Sequence, residues 1–106
     1  MIAFHNRPEL KTAVLAELER HREADKLVQN HGYWSDGKGC AVGCTLQSFC
    51  LADRLATCDF DHGDHQLYET YLGVPRALAR LEDGIFEALP KADAQVWPGR
   101  FLSAIP

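Results

Sequence analysis

The sequence predicts an all-α fold, a compact bundle of about five helices with a long N-terminal helix, in one domain spanning residues 1–106. Three observations carry this expectation. From residue 8 to residue 30 apolar positions recur at helical spacing with no breaker between them. Elsewhere no alternating run of β-branched residues extends beyond four positions, so strand signals are almost absent. Finally, 106 residues with 46% hydrophobic and 25% charged side chains can bury a single modest core, and that balance argues against disorder.

Asn6-Arg7-Pro8-Glu9 reads as a helix start, with an N-cap type residue, an early proline and Glu9 to close a capping box. Leu10, Val14, Leu18, His21 and Val28 then share one stripe, and His31-Gly32 ends the helix. A second helix is expected over residues 41–57, followed by a polar loop over 58–64. Asp64 would cap a short helix through QLYETYL that Gly73 closes. Val74-Pro75 opens the next helix, in which Leu78, Leu81, Ile85 and Leu89 keep helical spacing. Pro90 and Trp97-Pro98 mark the last corners, and PGRFLSAI forms a final short helix. The expected core joins Leu10, Val14, Leu18 and Phe49 to Leu78, Leu81, Ile85 and Phe101.

No run of about 18 apolar residues marks a membrane span, and the first residues lack the apolar stretch of a signal peptide. A soluble protein of the bacterial cytoplasm is expected, with Cys40, Cys44, Cys50 and Cys58 reduced. The net charge of −4 arises wholly in residues 41–106, where five basic residues face nine acidic ones, while residues 1–40 hold six of each. Bulk charge thus argues against nonspecific nucleic-acid binding, and any basic patch must be local.

In HGYWSDGKGC, residues 31–40, Gly32 and the Gly37-Lys38 pair reproduce the spacing of a phosphate-binding P-loop. That loop works between a strand and a helix, and here a helix precedes it, Gly39 replaces the metal-binding hydroxyl and no sheet is expected. The glycines read better as a helix stop and a turn, and the run ahead of a helix start leaves room for an isolated phosphate or carboxylate as the weaker reading.

Cys40 and Cys44 flank one end of the second helix, and Cys58, His62 and His65 the other. These are residue types that zinc prefers, but a continuous helix holds the two groups more than about 20 Å apart at ~1.5 Å per residue. Buried structural thiols are therefore expected, with no cofactor and with zinc as the alternative. DFDHGDH, residues 59–65, places its glycine and acids wrongly for a calcium loop and reads as a solvated acidic connection. No nucleophile, base and oxyanion site assemble, so no catalytic residue and no small-molecule substrate are expected.

One local patch stands out. Arg7, Lys11, Arg22 and Lys26 fall within an arc of about 100° on the first helix, next to Glu9, Glu19 and Glu23. His31, Tyr33, Trp34 and Lys38 lie just beyond its end. Cations leading to aromatics suit a single strand, whose backbone they track and whose bases they stack. The bland reading is a solvated helix edge with Trp34 packed in the core.

GKGCAVGCTL (37–46), YLGVPRALARLEDGIFEALP (71–90) and WPGRFLSAIP (97–106) resemble segments of larger uncharacterised bacterial proteins. The chain as a whole resembles the small phage and mobile-element anti-CRISPR proteins directed against the type I-E system. That resemblance implies a non-enzymatic inhibitor that occupies a surface of the effector complex, of its helicase-nuclease or of the nucleic acid. The contact expected here is Lys11, Arg22, Lys26, Tyr33, Trp34 and Lys38 on single-stranded DNA. The alternative contact is an acidic DNA-mimicking surface of Asp59, Asp61, Asp64, Glu82, Asp83 and Glu87. A small zinc-stabilised binding module is the third reading.

Overall fold

A computed structural model describes residues 3–30, 34–53, 65 and 67–106. Pro8, with φ already fixed near the helical value, opens α1 over Pro8–Glu23. The expected capping box does not form. Phe4, His5 and Asn6 take φ of 54, 51 and 59°, a left-handed turn that leaves Arg7 as N-cap with no side-chain cap bond. Glu9 bonds the Arg7 side chain instead, at 3.2 Å.

The helix also ends earlier than the stripe to residue 30 suggests. Asp25 takes φ 57°, and the N–H groups of Asp25 and Lys26 return to the carbonyls of Arg22 and His21. This is a Schellman stop with aspartate at the position glycine usually fills. The chain beyond it is held by tertiary bonds. Val28 N–H donates to Gly39 O and Gly39 N–H to Lys26 O, both at 2.9 Å. Gln29 Nε2 donates to the carbonyls of Phe86 and Leu89 at 2.7 Å, satisfying the end of another helix.

Residues 35–38 settle the P-loop question. Ser35 and Lys38 exchange backbone bonds of 2.8 and 3.0 Å around Asp36 (φ 53°) and Gly37 (φ 74°). Two successive positive φ values define a type I′ turn, for which Asp-Gly is a preferred pair. The Lys38 and Gly39 N–H groups are spent on Ser35 and Lys26, so no phosphate cradle remains there.

Next, α2 (Ala41–Ala52) passes through the centre, with every residue from Ala41 to Cys50 buried. It is apolar around most of its circumference, as a central helix must be. A π-helical turn, Tyr68–Leu72, ends at Gly73 in the left-handed region (φ 68°). Two further helices, α3 (Arg76–Ala88) and α4 (Lys91–Ala104), complete the all-α bundle.

Two expectations need correction in this half. In α3 the buried face is Ala79, Glu82 and Phe86; Leu78 and Ile85 are half-buried and Leu81 is 53% exposed. Both stripes have helical spacing, and the core selects the one turned by a single residue. In α4, Pro98 is no corner: the helix continues through it, with Ala94, Pro98 and Leu102 all buried. Packing of that face outweighs the missing N–H. Phe101 is half-buried, whereas Leu10, Val14, Leu18 and Phe49 occupy the core as expected. Among the described residues, no helix is long and apolar enough to cross a membrane.

Candidate nucleic-acid interface

Lys26 follows the Schellman stop of α1, and Lys38 closes the type I′ turn. The pairing of residues 26–28 with Gly39 brings these two exposed lysines onto neighbouring backbone. Neither forms an ion pair with a described residue. Trp34 stands half-buried ahead of the turn, with its ring edge-on to His21 at 5.6 Å between centroids. His21 is buried, and its Nδ1 lies 2.9 Å from Glu17 O and 3.0 Å from Ser48 Oγ. Since Ser48 Oγ donates to Cys44 O, Nδ1–H is the donor to both. Burial depresses the imidazole pKa and favours this neutral ring.

A shallow cavity of about 250 Å³ adjoins this edge, with Arg20 and Lys26 on its rim, His21 in its wall and Leu51 beside them. Leu51 is 52% exposed. The edge therefore combines two lysines without ion-pair partners among the described residues, an aromatic ring and an exposed apolar side chain. Arg20 and Leu51 belong to it although no linear pattern marked them; only the packing of α1 on α2 places them there.

The other expected contacts lie elsewhere. Lys11 Nζ donates to the carbonyls of Ser103 and Ile105, so its charge serves the C-terminal end of α4. It sits near the start of α1, roughly 18 Å from the helix end at ~1.5 Å per residue. Arg22 Nε donates to both oxygens of Glu19, at 3.0 and 2.9 Å, and its side chain lines a groove with Gln95 of α4. Tyr33 is outside the described residues.

The acidic surface loses its centre. Glu82 is fully buried rather than exposed, because the core takes in its helix face and Tyr68 OH donates to its Oε1 at 2.7 Å. Asp83 is largely enclosed. Its Oδ1 accepts Val42 N–H at 3.2 Å, and its Oδ2 accepts the Cys40 thiol at 3.6 Å and lies 3.0 Å from His65 Nε2. The N-terminal end of α2, a position that suits an external anion, is thus occupied by the protein's own carboxylate. Glu87 is exposed and accepts Asn30 N–H at 2.8 Å. Asp59, Asp61 and Asp64 lie outside the described residues.

Cys40, Asp83 and His65 do not form a nucleophile with its base: both Cys40 and His65 address the carboxylate rather than each other. Burial, reinforced by the Asp83 charge, pushes the Cys40 thiol far above its ordinary range, the opposite of activation. Cys44 is likewise pushed up by burial, and it donates to the carbonyls of Lys26 and Gly39 at 3.3 and 3.4 Å. Both thiols are free. Cys50 is disulfide-bonded, which corrects the expectation that all four cysteines are reduced. Among the described residues no group of three or more His, Cys, Asp or Glu is placed to hold a metal ion. Cys58 and His62 are outside them.

No protein-family model, curated protein or solved structure matches this chain.

Proposed function

We propose that the chain is a non-enzymatic inhibitor of type I-E DNA interference, acting by occlusion in the bacterial cytoplasm. Its Lys26–Trp34–Lys38 edge meets single-stranded DNA exposed in the effector-opened target, so that nuclease recruitment or cleavage is blocked. The resemblance supports the choice of target system, and the geometry of the edge supports the contact. The carrying observation is the backbone pairing that presents Lys26 and Lys38 together, without ion-pair partners among the described residues. Two such lysines can displace counterions from adjacent phosphates, while Trp34 and the apolar Leu51 offer surface to a base. A non-enzymatic role agrees with Cys40 being held protonated against Asp83. The reading requires no cofactor.

The test is a binding panel at two salt concentrations with a single-stranded oligonucleotide, the matching duplex, the multisubunit effector and the helicase-nuclease. Single-stranded DNA should bind, and added salt should weaken it steeply. The double variant Lys26→Ala/Lys38→Ala should weaken all sequences about equally and reduce the log–log salt slope by about 1.4, two phosphates at ~0.7 each. Trp34→Ala should cost about 1–3 kcal/mol of binding. An unchanged slope in the double variant would remove this edge from the contact, and failure to bind the single strand would remove single-stranded DNA as the target.

A further inference from the structure

The outer face of α4 carries a charge pattern that matches its own inverse. Asp93 and Arg100 are seven residues apart, which at ~3.6 residues per turn returns them to one face, roughly 10 Å apart along the axis. Val96 lies between them on that side and is 40% exposed. Asp93 and Arg100 are exposed, and neither forms an ion pair with a described residue. Their separation rules out pairing with each other. Along this face the chain presents an acid, an apolar side chain and a base.

Beside Val96 runs a groove of about 450 Å³ between α4 and α1, with Leu15, Leu18 and Gly99 in its lining. A Cβ built on Gly99 meets nothing within 4 Å, so an approaching side chain finds open space at that point. The charges on the α1 rim, Glu19 and Arg22, already satisfy each other.

We propose that this face is a self-association surface whose occupant is α4 of a second copy, packed antiparallel across a two-fold axis near Val96. The charge order selects that occupant. A uniformly acidic helix would be repelled by Asp93 and a uniformly basic one by Arg100, whereas an antiparallel copy sets each Arg100 against the other copy's Asp93. Residue meets residue reciprocally, as a two-fold interface requires. The two Val96 side chains meet at the axis, and the space beside each Gly99 admits the other helix. Antiparallel packing also opposes the two helix dipoles.

Sedimentation equilibrium over a range of concentrations tests this, with circular dichroism confirming that each variant is folded. The wild-type chain should associate reversibly to a dimer. Asp93→Arg and Arg100→Asp should each raise the dissociation constant by at least ~tenfold, because every attraction becomes a repulsion. Mixing these two variants should give a heterodimer, and the double swap Asp93→Arg/Arg100→Asp should restore the homodimer, a recovery that loss of folding could not produce. Val96→Glu should give a monomer. A wild-type chain that stays monomeric, or a dimer indifferent to the single reversals, overturns the proposal, as does a double swap that fails to recover association.

Discussion

Glu82 has none of its surface exposed, and the core treats its two carboxyl oxygens differently. Oε1 accepts the Tyr68 hydroxyl at 2.7 Å, while Oε2 is buried with no hydrogen-bond partner among the described residues. An ionised carboxylate so placed forfeits its hydration for a single bond. Burial therefore holds its pKa well above the ordinary 4.5; the Tyr68 bond opposes that shift and the Asp83 charge adds to it. Between 4.5 and this raised value the folded chain keeps a proton that the unfolded chain releases, so stability falls as pH rises through the window. His21 acts oppositely. Burial lowers its pKa below 6.5, so its contribution is present above that value and declines as pH falls below it. Urea denaturation across a pH series should show Glu82→Gln losing the falling limb, which can reach about 1.4 kcal/mol per pH unit for one proton. The acid-side decline owed to His21 should persist. Parallel profiles for the wild type and Glu82→Gln would mean that Glu82 binds no extra proton in the folded chain.

At the scale of elements, the sequence revealed where helices begin more clearly than where they end. Pro8, Pro75 and Pro90 each stand at the start of a helix, as positions that need no donor. The stop of α1 was hidden because Asp25, not glycine, takes the left-handed conformation, while the apolar spacing runs on to Val28. Register in α3 was hidden too. Leu78-Leu81-Ile85 and Ala79-Glu82-Phe86 are both helical stripes, and a partner for a buried glutamate is visible only in three dimensions. Of the site, Lys26, Trp34 and Lys38 were legible as residue types, but their meeting depends on backbone bonds from residues 26 and 28 to Gly39 that no side-chain pattern records. A helical wheel likewise cannot show that α4 claims Lys11. The stop at Asp25 gives a direct prediction. Asp25→Val should cost about 1–2 kcal/mol, because a β-branched residue clashes in the left-handed region, whereas Asp25→Gly should be neutral or stabilising. Denaturant midpoints of the two variants measure the difference, and equal midpoints would contradict the Schellman stop.

Over the whole molecule, the two proposed surfaces share no residue. The proposed DNA edge joins Lys26, Trp34 and Lys38 to Leu51 of α2, and the proposed self-association face belongs to α4. Breaking the second should therefore leave the first intact on each chain. A two-fold dimer nevertheless carries two edges, and once one is bound the other faces a raised local concentration of the same strand. On an oligonucleotide long enough for only one edge, wild type and Arg100→Asp should bind with the same affinity per chain. On a strand long enough to reach both edges, the wild type should bind at least ~tenfold tighter than Arg100→Asp, and the double swap Asp93→Arg/Arg100→Asp should recover that gain. Titrating both lengths against the three proteins separates the contributions. Equal weakening on both lengths would place Arg100 in the DNA contact itself. A wild type that gains nothing from the longer strand, while still sedimenting as a dimer, would mean that the two edges point where one strand cannot join them.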